Sequence, residues 1–240
     1  MTNKLYATDA YLETCDARVT DVTALGIVLD RTVAYARGGG QPGDIGTLTT
    51  DGGVLDLTDT FTDRDTGSLI HQVAEGSIVP VIGEPVAVAI DAERRRRIMR
   101  THTSLHALSG IVYTHFDAKV TGGNMGDDGT ARMDFELDHI STDFGQEVEG
   151  LLNDALAAGH DVHVLFLPRD EALADPDLIR TKANLIPAEV DPIRVIDIEG
   201  VDKQADGGTH VRTTLEVGTV HVVKTESKGR ANKRMRIRLD

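Results

Sequence analysis

Along the first 88 residues, apolar and polar positions alternate in short runs such as Ala17-Arg18-Val19-Thr20, Gly26-Ile27-Val28-Leu29-Asp30 and Val54-Leu55-Asp56-Leu57. Period-two alternation sends every second side chain to one face of a strand, and turn clusters such as Thr50-Asp51-Gly52-Gly53 separate the runs. Val79 to Ile90 is rich in β-branched residues and broken by Pro80, Gly83 and Pro85, which predicts the closing strands of a small barrel. At Asp91 the period changes. Asp91 suits an N-cap, and Ile98, His102, Leu105, His106, Ser109 and Val112 fall at helical spacing on one face of a helix from Ala92 to about Phe116. A polar loop is expected at Thr121–Met125 and a strand at Ala131–Leu137. A second helix is expected over Thr142–Ala158, with Gly159 past its end. The strand Asp161–Leu167, a short helix near Arg169–Asp175 and a loop through Pro187 and Pro192 follow. Strands are then predicted at Ile193–Ile198, Val211–Glu216, Thr219–Thr225 and Met235–Leu239. The predicted fold class is α+β: a small N-terminal β-barrel over residues 1–90, then an α+β domain over 91–240 with one long helix against an antiparallel sheet.

Composition narrows the class without changing that outline. Of 240 residues, 40% are hydrophobic and 27% charged, the profile of a folded chain, while aromatics at 4% leave the cores to Val, Leu, Ile and Ala. No run approaches the roughly 18 apolar residues of a membrane span, and the N-terminus lacks the apolar stretch of a secretory signal. Cys15 is the single cysteine, which excludes an intramolecular disulfide and a multi-cysteine zinc cage. A cytoplasmic protein without membrane partners is expected.

The net charge of −14 is unevenly spread. Residues 94–100 carry +5 through Arg94, Arg95, Arg96, Arg97 and Arg100. Residues 224–238 carry +6, with Lys224, Lys228, Arg230, Lys233, Arg234, Arg236 and Arg238 against Glu226. Either these are solvated faces of an acidic protein or they are phosphate-contacting surfaces.

The chemistry concentrates in three segments. In His102-Thr103-Ser104-Leu105-His106, imidazoles at i and i+4 lie about 40° apart around a helix and reach one ion from one face. A buried, hydrogen-bonded pair is the competing reading, and Thr103 stands where a zincin protease carries its general-base Glu. In Asp202-Lys203-Gln204-Ala205-Asp206-Gly207-Gly208-Thr209-His210, Asp206 and His210 flank a Gly-Gly turn that folds both toward one point. Three imidazoles and one carboxylate make a site for zinc or another divalent ion. The third segment, residues 37–46, has six Gly or Pro among ten residues. It lacks the Lys-Ser/Thr of a P-loop, so it reads as a tight connection or a loop that approaches a ligand closely.

Together and in this order, these segments resemble the freestanding alanyl-tRNA editing proteins of the AlaX type, medium-length class, and the editing domain of alanyl-tRNA synthetase. The resemblance runs through Gly38–Gly46, Arg97–Leu108, Asp202–Val211, Thr214–Gly218 and Lys224–Arg230, nearly the whole chain. It implies a metal-dependent deacylase acting on mischarged tRNA(Ala), chiefly seryl-tRNA(Ala) and then glycyl-tRNA(Ala). Matched residue by residue, it implies His102, His106 and His210 as metal ligands with Asp206, and Zn2+ as the expected ion. It assigns catalytic roles to Thr103, which shapes the amino-acid pocket, and to Gln204, near the terminal adenosine. It places Gly38, Gly39, Gly40, Gln41, Asp44 and Thr209 at the substrate. The flanking basic residues Arg96, Arg97, Arg100, Lys228 and Arg230 are expected to contact tRNA. A monomer that does not bind DNA is expected. Two departures stand out: Asp206 where the family usually has Cys, and Ala34-Tyr35-Ala36 where it tends to place Phe and Pro. Two other readings share the sequence: a non-catalytic RNA-binding module, and a deacylase for another aminoacyl-tRNA.

Overall fold

The computed structural model describes residues 1–175, 178, 186, 188 and 190–240. The chain forms two compact units, Met1–Arg96 and Arg97–Asp240. The expected loop at Pro187 lies outside the described residues.

The first unit is a closed antiparallel barrel with strand order β2-β3-β7-β6-β5-β8. Its strands are β2 (Thr14–Thr23), β3 (Gly26–Leu29), β5 (Gly46–Thr50), β6 (Gly53–Thr62), β7 (Leu69–Val73) and β8 (Pro85–Ile90). A two-stranded parallel pair, β1 (Asn3–Lys4) with β4 (Arg31–Thr32), accompanies it. Alternation works as expected: Val19, Leu55, Leu57, Val86 and Val88 turn inward with Ile27, Leu29 and Leu48 to fill the barrel. Only part of the expected closing run is strand. Ile78, Val79, Val81 and Ile82 are exposed ahead of β8, because Pro80 and the positive φ of Gly83 prevent a continuous ladder there.

His71 on β7 is fully buried in this unit, with Nδ1 3.2 Å from the Ile27 carbonyl and Nε2 2.8 Å from Thr32 Oγ1. Burial lowers its pKa to about 4. The unfolded chain binds a proton near the ordinary 6.5 while the folded one does not, so stability is present above that value and is lost as pH falls toward 4. We expect a loss of about 3 kcal/mol across this window. Denaturant titrations at pH 7 and pH 4 check it; an identical acid loss in His71→Asn would remove His71 as the cause.

Helix α1 (Ala92–Phe116) starts in the first unit and continues into the second; it is capped as predicted, with the Arg94 amide donating to Asp91 Oδ1 at 2.9 Å. The one-face expectation for α1 is corrected. Met99, Thr101, Thr103, Ser104, Ala107 and Leu108 are buried along with the predicted face, so the middle of the helix is buried on all sides, while Glu93, Thr114 and His115 near its ends are exposed. The remaining elements are β9 (Val120–Met125), β10 (Thr130–Phe135), α2 (Thr142–Ala157), β11 (Val162–Leu167), α3 (Arg169–Ala174), β12 (Ile193–Ile198), β13 (Asp202–Ala205), β14 (Val220–Ser227) and β15 (Lys233–Leu239). They form an antiparallel four-stranded sheet, β14-β15-β10-β9, and a three-stranded one, β11-β12-β13. The α+β class therefore holds.

Three local expectations are corrected. Thr121–Met125 belongs to strand β9, paired with β10 although it lacks apolar alternation. Asp202–Ala205, read only as the start of a turn, pairs with β12. Val211–Glu216 is not a strand: a single bridge joins Thr213 to Asp161, and Thr214–Glu216 is a 3-10 turn whose Thr214 hydroxyl bonds the Leu156 carbonyl. No described helix is long and apolar enough to cross a membrane.

One glycine sets the distance between α1 and the β12–β13 turn. A Cβ on Gly110 would lie 2.2 Å from the Val201 carbonyl oxygen and 3.0 Å from Asp202 Cβ. Gly inside a helix costs about 1 kcal/mol relative to Ala. Here it permits the close approach that sets Asp202 against His106, one turn earlier on α1.

Candidate metal centre

The i,i+4 spacing on α1 sends His102 and His106 to one side, with ring centroids 5.2 Å apart. The segment after β13 returns His210 to them, at 4.3 Å from His102 and 4.8 Å from His106. Asp206 closes the group. One of its oxygens is 3.6 Å from His102 Nε2 and 3.9 Å from His106 Nε2, and the other is 3.1 Å from His210 Nε2. One ligand atom from each of the four residues lies within 4.8 Å of the other three. Ligands about 2.0–2.1 Å from a tetrahedral zinc stand about 3.3–3.4 Å apart, so small side-chain movements bring this set onto one ion.

Around this set lies a layer of orienting hydrogen bonds. His106 Nδ1 is 2.9 Å from Asp202 Oδ2, the carboxylate–histidine arrangement that leaves the other ring nitrogen for a metal. Gln204 Nε2 donates to both Asp202 oxygens, at 3.0 and 2.8 Å, and to Ser109 Oγ at 3.0 Å. His210 Nδ1 is 3.1 Å from Thr103 Oγ1, which also accepts the Val211 amide. Asp206 is steadied by the Gly208 amide at 2.5 Å, and Arg194 donates to its main-chain oxygen at 2.9 Å.

The four residues also shift one another's charge. Burial lowers the pKa of His102 to about 4 and that of His210 well below its ordinary value. Burial opposes charge on His106 as well, but its hydrogen bonds to the Asp202 and Asp206 carboxylates outweigh it and raise the pKa to about 9. Burial also works against the Asp206 carboxylate, yet the three imidazoles hold its pKa well below the usual carboxylate range. Largely neutral imidazoles gathered about a carboxylate make a donor set that could hold a metal ion, with Arg194 Nη1 3.9 Å from the same carboxylate.

Asp202 is the residue that the sequence reading did not place in the site. Its signal was present, since it alternates with Gln204 on one strand and a metal-bound imidazole needs an acceptor behind it. Asp202→Asn is expected to weaken metal binding about 10- to 100-fold with little change in the fold. Chelator competition checks this, and wild-type affinity would show that His106 needs no carboxylate behind it.

Relatives give this geometry a family. A family model described as "Threonyl and Alanyl tRNA synthetase second additional domain" matches residues 193–236, and one for "tRNA synthetases class II (A)" matches residues 4–94. The chain is 32% identical to the alanyl-tRNA editing protein AlaX-M of Saccharolobus solfataricus, over 98% of both chains. It is 34% identical to the AlaX-M protein of Methanosarcina barkeri, again over 98% of both. The chain belongs to the AlaX-M family of alanyl-tRNA editing proteins. It is also 34% identical to an alanine–tRNA ligase of Pyrobaculum arsenaticum, over 94% of this chain and 25% of the ligase.

Other residues that the AlaX resemblance singled out are found in varied settings. Gly38 and Gln41 exchange main-chain hydrogen bonds of 3.1 and 2.9 Å around Gly39 and Gly40, whose φ angles of 56° and 84° make a tight two-residue turn. Gly38 and Gly39 are exposed at its tip, while Gln41 is buried. Asp44 is buried, and its oxygens accept from Arg95 and the Tyr35 amide. Thr209 is fully buried beside His210.

The arginine run on α1 is not one surface, because consecutive helical residues point about 100° apart. Arg94 donates to the Gly43 carbonyl, and Arg95 is buried with Asp44. Arg96 lies over the Tyr11 ring, Arg97 donates to the Asp127 carbonyl, and Arg100 to those of Val217 and Asp240. Of the five, only Arg95 is buried; the others are half-buried, each held by a different part of the chain. Lys228 and Arg230 sit exposed near the β14–β15 turn, with Lys228 3.5 Å from Glu226.

Proposed function

We propose that this protein is an aminoacyl-tRNA deacylase that hydrolyses the ester of mischarged tRNA(Ala), seryl-tRNA(Ala) first and glycyl-tRNA(Ala) second, at a Zn2+ held by His102, His106, Asp206 and His210. The convergence of three imidazoles and a carboxylate, with Asp202 and Thr103 behind them, carries this reading. Family membership supports the reaction, since the similar proteins are named for alanyl-tRNA editing. A divalent ion held by these residues would supply Lewis-acid chemistry to the ester carbonyl or to a water. The chain's own residues supply orientation. Asp202 keeps Nε2 of His106 turned inward, and Gln204 holds Asp202 in place through its amide.

Thr103 has two tasks in this scheme. With His210 Nε2 turned to the ion, Nδ1–H donates to Thr103 Oγ1, which leaves the hydroxyl proton free to bond a seryl hydroxyl. This contact favours the seryl ester over the alanyl one, whose side chain leaves polar groups unpaired, and it gives the glycyl ester no such advantage, which is why that ester is placed second. Thr103→Val is expected to slow seryl-tRNA(Ala) deacylation and to lower metal affinity about tenfold, with Thr103→Ser keeping both. A Val variant with full metal affinity would confine Thr103 to the amino-acid pocket.

The function itself is tested by deacylation of seryl-, glycyl- and alanyl-tRNA(Ala) with metal-depleted and zinc-reconstituted protein. Hydrolysis of the seryl and glycyl esters, restored by zinc, is expected. Bound metal with no hydrolysis would point to a non-catalytic RNA-binding module, and hydrolysis of other aminoacyl esters alone would replace the substrate.

A further inference from the structure

Strand alternation in the four-stranded sheet gives it two unlike faces. One carries Ala131, Met133 and Phe135 of β10 and Met235, Ile237 and Leu239 of β15, all buried. Helix α2 packs on this apolar side, where a Cβ on Gly145 would touch Thr225 and Val222 of β14. The opposite face is basic. Arg132, Arg236 and Lys224 are direct cross-strand partners on β10, β15 and β14. Arg234 and Arg238 stand to either side of Arg236 along β15, and Lys228 and Arg230 extend the cations past the end of β14.

Like charges opposite one another on neighbouring strands, about 4.8 Å apart, destabilise a sheet by some tenths of a kcal/mol per pair. Two carboxylates offset part of this. Asp134 bonds Arg234 at 2.6 and 2.8 Å and Arg132 at 3.2 Å. Glu226 lies 3.0 Å from Lys224, 3.5 Å from Lys228 and 2.9 Å from Arg236. Seven cations thus share two acids, a net +5 on a chain whose total is −14. His221, opposite Arg238, is occupied by Glu149 and Asp240. Arg230 and Arg238 have no acidic partner among the described residues. Lys224 remains 60% exposed and Arg236 43%.

A sheet gains nothing by lining up cations across three strands unless an anion outside it completes them. Phe135, the one Phe, Tyr or Trp of β9, β10, β14 and β15, is fully buried on the apolar side, and the ring of His221 on the basic face has both nitrogens taken by Glu149 and Asp240. The basic face therefore offers no platform for stacking unpaired bases, which single-strand binders use. It suits the phosphates of a helical stem, read by charge and shape.

We propose that the outer face of β10, β15 and β14, through Arg132, Lys224, Arg230, Arg236 and Arg238, docks on the sugar–phosphate backbone of a double-helical RNA stem. This rests on the proposed function for its biological partner, the stem of the aminoacylated tRNA. Its test does not require hydrolysis. The probe is an unacylated 12-base-pair RNA hairpin, with a single strand of equal length beside it, titrated over a range of salt with the full-length protein.

Wild type is expected to prefer the hairpin, with affinity falling steeply as salt rises. Arg230→Gln/Arg238→Gln breaks no ion pair and is expected to lower the log–log salt slope by about 2. Arg236→Glu is expected to cost at least tenfold in affinity at low salt. Unchanged thermal midpoint and metal content show that these losses are not misfolding, and if Arg236→Glu fails to fold, the double Gln variant decides alone. An unchanged slope and affinity would overturn the proposal, as would equal or tighter binding of the single strand. Hairpin binding that depends on this face in a protein that deacylates nothing would keep the docking surface and reject the proposed function.

Discussion

Asp206→Ala is expected to lose metal affinity by about two to four orders of magnitude, and deacylation with it. The estimate follows from removing one partner of a buried charged set, about 3–5 kcal/mol, at about 1.4 kcal/mol per decade. Asp206 contributes both oxygens to the imidazole cluster and is only 16% exposed, so solvent cannot replace it well. Its loss also removes the carboxylate 3.9 Å from Arg194 Nη1. Asp206→Cys restores an anionic ligand and is expected to hold zinc within about tenfold of wild type, a thiolate being the softer of the two ligands. Chelator competition with zinc, followed by deacylation at saturating metal, separates affinity from chemistry. Wild-type affinity in Asp206→Ala would mean that three histidines suffice.

The second large effect lies in the barrel. Asp44→Ala is expected to destabilise the Met1–Arg96 unit by about 3–5 kcal/mol, since it strands a buried guanidinium. Arg95 is 3% exposed and Asp44 2%. Besides its hydrogen bonds to Asp44, Arg95 donates to the Val33 carbonyl at 2.8 Å and to that of Ala10 at 3.0 Å, so it ties the N-terminal segment to the strand β5 region. The Tyr35 amide also donates to Asp44, at 2.6 Å. A drop in thermal midpoint of well over 10 °C is the expected reading, at about 4–8 °C per kcal/mol for a unit of this size. An unchanged midpoint together with a raised KM for aminoacyl-tRNA would return Asp44 to the substrate.

Much of the site was legible because its first half is local. The spacing of His102 and His106 and the cap at Asp91 are short-range facts of a helix. The barrel strands likewise follow from period-two alternation. Gly110 and β9 were not legible, because neither breaks a local rule visibly. A single glycine in a helix has several explanations, and Thr121-Gly122-Gly123-Asn124 pairs with β10 through main-chain groups rather than through apolar side chains.

By itself, the sequence determined where the helices and most strands lie, which residues can ligate a metal, and that positive charge gathers in two stretches. Only the tertiary structure decided what those charges do. Asp44 meets Arg95 across 51 residues and Asp202 meets His106 across 96, distances over which no periodicity carries information. The same holds for the two basic stretches. A helix turns consecutive arginines about 100° apart, so those of α1 scatter into internal contacts. A sheet sets alternate residues of neighbouring strands side by side, so those of β10, β14 and β15 add up to one surface.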